Sequence, residues 1–294
     1  MRLANEAAAI AFRVLNKCTD QLSPEGAWRW SCSVQNGTRL PIAASLEEGF
    51  LNLTCRPEGI RKSACTLEQA LFGNRMLSGG VKVALGKAND DLHLATDLVI
   101  LEEKHLLDRF HGALEGFHDG YRLFRAPASL INNTAAKTDS GAALGELLRE
   151  ASWPSTERGP NEFTVELDAT SASPARIQNT ESGVELNSEL VRSNAAAEIS
   201  RRALTLFLLT ATSTLRFVRA YSEETNDGFA FGIQVNLPCD PAIEEINHAL
   251  AALSIAHRMC ARETTVLLNE ATARCYLAAR NLPTTNDHHS EQEN

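Results

Sequence analysis

The chain reads Gly-Val-Lys-Val-Ala-Leu at residues 80–85 and, after a polar turn, alternates largely apolar with polar residues from Leu92 to Ile100. The second half repeats this pattern. It reads Leu-Arg-Phe-Val-Arg-Ala at 215–220, followed by a longer polar turn and a second alternating stretch from Phe229 to Leu237. A period of two is typical of a strand with one buried face. The sequence therefore predicts two copies of one β-hairpin and, around them, a domain-sized internal repeat.

Helical and strand patterns surround each hairpin in the same order. The predicted helices lie at 3–18, at about a dozen residues capped by Thr66, and at 102–124, 143–151, 193–213 and 242–282. The predicted strands outside the hairpins lie at 27–34, 39–45 and 50–56 in the first copy and at 162–169, 175–180 and 183–190 in the second. Asn36-Gly37 favours a tight turn between the first two strands. The last helix contains no Gly or Pro and is expected to be continuous.

These patterns predict an α+β protein with two tandem α-β-β-β-α-β-β-α units, each a mainly antiparallel sheet packed on helices. The first unit spans residues 1–125 and the second spans 142–282. Residues 126–141 are rich in Ala, Ser, Asn, Thr and Gly, which suits a linker, and the polar tail at 283–294 is expected to be disordered. We expect the two units to pack together as an internal pseudo-dimer.

Alternation also predicts which hairpin residues form the core. Those in the first copy are Val81, Val83, Leu92, Leu94 and Leu98. Those in the second copy are Leu215, Phe217, Phe229, Phe231, Ile233 and Val235.

Charge and composition narrow the classes of partner. The chain has 294 residues and a net charge of −9, and 44% of its residues are hydrophobic. Residues 151–294 hold 11 basic and 19 acidic side chains, so most of the excess is in the second half. An acidic surface repels phosphate backbones, which argues against nucleic acid. The sequence shows no apolar run of membrane-spanning length and no signal peptide, so we expect a cytoplasmic protein without a membrane partner.

No catalytic, cofactor-binding or metal-binding motif emerges from the sequence. His105, His111 and His118 fall on one predicted helix but lack the His-Glu-x-x-His pattern of zinc proteases. Gly79-Gly80 matches neither phosphate-binding glycine pattern, and no G-x-S-x-G motif occurs. Seven cysteines without C-x-x-C spacing are read as small buried residues. We therefore expect a protein that is not an enzyme and needs no cofactor or metal.

Two tryptophans are the candidate binding residues. Trp28 and Trp30 lie two positions apart on the first predicted strand and therefore project from one face. Such a pair is most often part of a core, but it is also suited to binding a peptide on an exposed sheet face.

The order of elements resembles the fold of type III secretion chaperones and the related YbjN-like family. The resemblance rests on Leu71-Phe72-Gly73-Asn74, on 79–85, on 92–98 and on the helix at 102–124. It implies a non-enzymatic, chaperone- or adaptor-like protein that holds a polypeptide partner. An alternative is a regulatory module that binds a small ligand between the two repeats, because pockets favour domain interfaces.

The resemblance also implies an oligomeric state. The chaperones dimerise as short chains, so a tethered second copy is expected to cover the dimerising face and leave the whole chain monomeric. The remaining surface is expected to include a hydrophobic groove flanked by acidic residues of the second half, suited to a basic or amphipathic polypeptide.

Overall fold

The structure is a computed structural model of the full chain. It describes residues 2–17, 22–26, 29–33, 39–57, 60, 63–86, 91–125, 141–167, 174–193, 197–226, 228–280 and 282. The linker predicted at 126–141 lies outside these residues except for Gly141, and so does the tail at 283–294.

The first unit contains three described helices and six described strands. They are α1 (Arg2–Lys17), β1 (Leu22–Gly26), β2 (Arg29–Ser33), β3 (Arg39–Glu47), β4 (Phe50–Cys55), α2 (Ala64–Asn74), β5 (Lys82–Leu85), β6 (Leu92–Val99) and α3 (Glu103–Arg125). The second unit repeats this order and adds one helix. Its elements are α4 (Gly141–Glu150), β7 (Ser155–Gly159), β8 (Glu162–Val165), β9 (Ala175–Thr180), β10 (Gly183–Ser193), α5 (Glu198–Thr212), β11 (Arg219–Thr225), β12 (Gly228–Leu237), α6 (Ile243–Leu267) and α7 (Glu270–Ala279).

The two units have the same sheet topology. The first sheet has the strand order β1-β2-β3-β4-β6-β5, and the second has β7-β8-β9-β10-β12-β11. All neighbouring strands in both sheets are antiparallel. The repeated hairpins thus become β5-β6 and β11-β12, which occupy the same edge of their sheets. The predicted α+β arrangement of two similar units is confirmed.

Each unit holds one strand more than the sequence predicted. β1 covers the Ser-Pro-Glu-Gly stretch at 23–26, whose Pro and Gly disfavour a strand, and β7 covers Ser155–Gly159. Both are edge strands. Proline is tolerated at a sheet edge because its missing N–H is not needed there. The residues of β7 are almost all exposed, so no apolar alternation marks that strand.

The structure also corrects three boundaries. The side chain of Ser63, rather than Thr66, caps α2 by accepting a hydrogen bond from the Thr66 N–H at 3.1 Å. The predicted last helix is divided into α6 and α7, because the side chain of Asn269 accepts from the Thr272 N–H at 3.1 Å and starts a new helix. β11 begins at Arg219, four residues later than predicted, after a loop at 213–218.

The loop explains which predicted core residues are buried. All five predicted residues of the first hairpin are buried, as are Phe231, Ile233 and Val235 of the second. Leu215 and Phe217 lie in the loop and are only half-buried, and Phe229 is half-buried near the start of β12. One hydrophobic cluster joins the first unit to α5, α7 and part of the second sheet. A second cluster belongs to the second unit alone.

The two units dock through equivalent elements. α2 packs on β11, and its counterpart α5 packs on β5. α2 also packs on α5, and β5 contacts β11. Such reciprocal contacts are the signature of an isologous, two-fold interface, here formed within one chain. The predicted internal pseudo-dimer therefore has a direct structural counterpart.

Two buried basic side chains cross this interface in opposite directions. Lys82, the first residue of β5, donates to the carbonyl of Thr212, the last residue of α5, at 3.1 Å. It also donates to the carbonyl of Leu215 in the loop that follows. Arg219, the first residue of β11, donates to the carbonyls of Leu77 at 2.7 Å, Val81 at 3.1 Å and Arg75 at 3.2 Å, beyond the end of α2. Each cation thus satisfies carbonyls at or beyond the C-terminal end of the partner unit's helix. Positive charge is favourable near such an end.

We expect Leu94→Ala to lower the free energy of unfolding by roughly 2 to 5 kcal/mol, because the substitution leaves a cavity at a site with 0% exposure. Chemical denaturation measures the loss. Met259→Ala, at a site with 50% exposure, is the matched control and should change stability by less than about 0.5 kcal/mol. Equal losses in the two variants would contradict this core assignment.

We expect Arg219→Met to destabilise the protein by about 2 to 3 kcal/mol, because three buried carbonyls lose their donor. Arg219→Lys keeps one cationic donor and should cost less. Both variants are compared with the wild type by denaturant unfolding. A methionine variant as stable as the wild type would show that the crossing hydrogen bonds do not hold the units together.

Candidate functional site

A cavity of about 690 Å³ lies between the two units. The first unit contributes the loop 75–80, the end of β6 at 96–99 and one face of α3. The second contributes the turn between β9 and β10, the end of β12 at 236–238, and Phe217. We call this space the inter-repeat cavity. Its volume is within the range of small-molecule sites, which occur preferentially at domain interfaces.

Two glycines shape the first wall. Gly79 and Gly80 have φ of +59° and +68°, a conformation that favours glycine. A Cβ on Gly79 would lie 2.0 Å from the carbonyl oxygen of Gly112 on α3, so the loop packs directly on the helix backbone. This contact positions the loop that ends α2 next to the cavity.

Arg109 and Glu245 form an ion pair between the units at the cavity wall. Arg109 donates from Nε at 3.0 Å and from Nη2 at 2.9 Å to the two carboxylate oxygens of Glu245, and also to the Asp240 carbonyl at 2.8 Å. Glu245 is 5% exposed. Burial alone would raise the pKa of Glu245, but Arg109 and the Ala242 N–H lower it. The pair therefore links α3 to α6 in its charged form.

Arg75 is held by two carboxylates of the second unit. Its guanidinium donates to Glu223, lies 3.6 Å from Glu185 and packs over the ring of Tyr221. Burial alone would lower the pKa of Arg75, yet the two carboxylates raise it. Arg75 therefore stays charged and engaged at the edge of the cavity.

Asp97 joins the cavity to the buried lysine. Its Oδ2 accepts a hydrogen bond from the Phe217 N–H at 3.1 Å and lies 3.9 Å from Nζ of Lys82. Burial lowers the pKa of Lys82, and Asp97 opposes that shift. Phe217 has φ of +61°, which is rare for a residue with a bulky side chain. The strained backbone is held by the Asp97 contact and by packing of the ring.

Phe217 packs near aromatic rings of both units. Phe217 occupies the place in the second unit that Gly80 occupies in the first, two residues before the crossing cation. Its ring lies 5.6 Å from that of Phe50 and 6.3 Å from that of His248, between centroids. Arg216 stacks over Phe50 at 4.6 Å and pairs with Glu47 at 3.0 Å. Gly80 and Phe217 both line the inter-repeat cavity, so its walls differ at equivalent positions of the two repeats.

The tryptophans predicted as binding residues are not part of the inter-repeat cavity. Trp28 lies outside the described residues. Trp30 is 7% exposed and packs in the core cluster of the first unit. Its observed contribution is to packing, and the predicted role of the two tryptophans in binding stays a prediction.

A buried serine of β10 contacts a buried histidine of α6. Ser188 Oγ and His257 Nδ1 are 2.9 Å apart, and the two residues are 1% and 8% exposed. Burial lowers the pKa of His257, so the ring is neutral at neutral pH. Neither residue is among those that line the inter-repeat cavity. The arrangement therefore gives this pair no described route to a substrate.

Neither a candidate metal centre nor a membrane-spanning helix occurs among the described residues. Within this part of the chain, no group of three or more His, Cys, Asp or Glu side chains could hold a metal ion. None of the helices within the same residues is both long and apolar enough to cross a membrane.

Comparisons with known proteins give no relative. No family model, no curated protein and no solved structure matches the chain. The inter-repeat cavity must therefore be interpreted from its own geometry.

Sequence reasoning missed most of this site. The cavity combines residues from seven separate stretches of the chain, and none of them forms a motif. One signal was present in the sequence. Gly79-Gly80 and Arg216-Phe217 precede equivalent strands, and this replacement of glycine by bulky residues marks where the two repeats differ.

Acid should destabilise the fold through His257. Burial lowers its pKa below the usual value of about 6.5, so the unfolded chain takes up a proton first as the pH falls. The contribution of neutral His257 to the free energy of unfolding is complete above about pH 6.5. It is lost as the pH falls toward the pKa of His257 in the folded state.

Denaturation at several pH values between about 7.5 and 5.5 tests this expectation. His257→Gln should lose less stability across that window than the wild type. Part of the loss should remain, because burial also lowers the pKa of His93 and His118. The control is His111→Gln, at an exposed position on α3, which should retain the wild-type dependence. An unchanged pH dependence in His257→Gln would contradict the assignment.

Proposed function

We propose that this protein is a non-enzymatic, chaperone- or adaptor-like binding protein that holds a segment of a partner polypeptide in the inter-repeat cavity. The observation that carries the proposal is the cavity itself, whose walls come from both repeats. A segment seated there contacts elements of both units at once. The resemblance of the element order to type III secretion chaperones supports the same function.

The nature of the walls supports binding rather than chemistry. The acidic and basic side chains at the wall are mostly engaged in structural pairs, as Arg109 with Glu245 and Arg75 with Glu223. Residues of loops and strand ends also line the space. Main-chain groups at such places can form hydrogen bonds to an extended partner segment. The groove expected from the sequence was hydrophobic, whereas the observed cavity combines polar and apolar residues.

The cavity also favours a second candidate function. Its volume of about 690 Å³ would accommodate a small molecule, as in a regulatory module with a ligand between its repeats. The two candidates share one site but differ in the occupant, so one set of variants can distinguish them.

We also propose that the chain is monomeric and cytoplasmic, as its sequence predicts. The interface through which the units dock already has the two-fold character of a dimer, so the face that would otherwise pair with a second chain is covered. Light scattering should give the mass of a single chain, and an obligate tetramer would contradict the proposal.

The binding proposal predicts that blocking the cavity abolishes peptide capture. Ser182 lies in the exposed turn between β9 and β10 and lines the cavity, so Ser182→Trp should obstruct it without disturbing the core. Peptides selected from a random-sequence library on the wild-type chain should bind this variant at least about tenfold more weakly, a loss of about 1.4 kcal/mol.

The matched control is Ala278→Trp, at an exposed position on α7, which should bind the selected peptides like the wild type. Peptides that bind Ser182→Trp as tightly as the wild type would contradict the proposed site. Native mass spectrometry of the purified chain tests the second candidate. A bound metabolite that is lost in Ser182→Trp, together with no peptide selected, would favour the small-ligand function.

A further inference from the structure

The charged side chains at the inter-repeat cavity are unequal in sign. Two arginines line it, Arg75 and Arg109. Five carboxylates line it as well, and they are Asp97, Asp108, Glu115, Glu185 and Glu245. An anionic ligand would meet this excess of negative charge, whereas a cationic ligand would reduce it.

Both arginines are already engaged. Arg109 is bound by both oxygens of Glu245, and Arg75 by Glu223 with Glu185 at 3.6 Å. Neither guanidinium is available to neutralise an anion without breaking contacts between the units. Asp97 is also engaged, because it accepts from the Phe217 N–H at 3.1 Å.

Two carboxylates remain available on α3. Asp108 and Glu115 are exposed, and neither forms an ion pair or a hydrogen bond with another residue of the described chain. They are seven residues apart, which places them on one face of the helix and about 10 Å apart along its axis. Gly112 lies between them on the helix, where the loop at Gly79 packs against its backbone, so the two carboxylates flank that contact at the cavity wall.

The second unit adds two lining residues that suit a cation. Gln178 on β9 lines the cavity, and its amide has no side-chain partner among the described residues, so its oxygen can accept from a ligand. Phe217 lines the same cavity, and aromatic residues attract guanidinium and ammonium groups. These groups belong to the second unit, whereas the free carboxylates belong to the first.

We propose that the inter-repeat cavity binds a flexible cationic group, a guanidinium or alkylammonium, between Asp108 and Glu115 of the first unit and Gln178 of the second. This inference rests on the proposed function, since it takes the same cavity as the binding site. The cation has two sources, the arginine or lysine side chains of a polypeptide and a free polyamine. The chemistry recognised is the same in both.

Isothermal titration calorimetry on the full chain tests the proposal with three probes. They are a capped tetra-arginine peptide, spermidine and a capped tetra-glutamate peptide. We expect a cationic probe to bind at low salt, and the double variant Asp108→Asn/Glu115→Gln to weaken that binding by roughly tenfold, since each exposed ion pair contributes modestly.

A matched control separates the site from the overall charge. Glu150→Gln/Glu166→Gln removes the same two charges at exposed positions that do not line the cavity, and it should bind the cationic probes like the wild type. All four substitutions are at exposed positions, and circular dichroism verifies that each variant is folded. Equal weakening in both double variants would overturn the proposed site, because only long-range charge would then matter.

The probes also separate this inference from the proposed function. Binding of tetra-arginine supports a basic polypeptide segment, and binding of spermidine alone supports the cationic site with a polyamine as its source. Binding of tetra-glutamate in place of both overturns the cationic class while leaving the cavity as a binding site. If no probe binds, the cationic class is overturned, and the library selection with Ser182→Trp still decides whether the cavity binds peptides.

Discussion

The structure depends on two cations that cross between the repeats. Lys82 and Arg219 are 3% and 1% exposed, and each donates to main-chain carbonyls at or beyond the end of the partner unit's helix. Burial lowers the pKa of Arg219 to about 10, which shows the cost of removing a guanidinium from water. That cost is offset only where the carbonyls are correctly placed. The crossing pair therefore specifies how the units dock, in addition to the apolar contacts around it.

The side chain of Asn74 fixes the same region from the first unit. Its amide donates to the carbonyls of Val83 at 3.1 Å and Ala220 at 2.8 Å, and its oxygen accepts from the Val83 N–H at 2.7 Å. One buried residue at the end of α2 thus binds the first hairpin strand of both units. The inter-repeat cavity lies beside these contacts, so its walls are positioned by the most constrained part of the interface.

The sequence was sufficient for the repeated fold because alternating apolar residues are a local signal. Leu94 and Phe231 are buried in equivalent hairpins, as their period predicted. β7 could not be predicted in this way, because an edge strand exposed on both faces has no apolar period. The break at Asn269 was missed since an asparagine within a helical pattern is tolerated unless its side chain caps a new helix. The burial of Lys82 and Arg219 was missed as well, because their partners are carbonyls more than a hundred residues away.

Because both repeats belong to one chain, equivalent positions of their interface can carry different residues. A dimer of identical chains places the same residue at both equivalent positions, so a glycine would stand at both. Here Phe217 stands at the second position, and its ring packs near those of Phe50 and His248, whereas Gly80 has no side chain. The inter-repeat cavity consequently has unlike halves, with Gly80 on the wall of the first repeat and Phe217 on that of the second, so a bound molecule would meet asymmetric surroundings rather than the two-fold symmetric ones of a pair of identical chains.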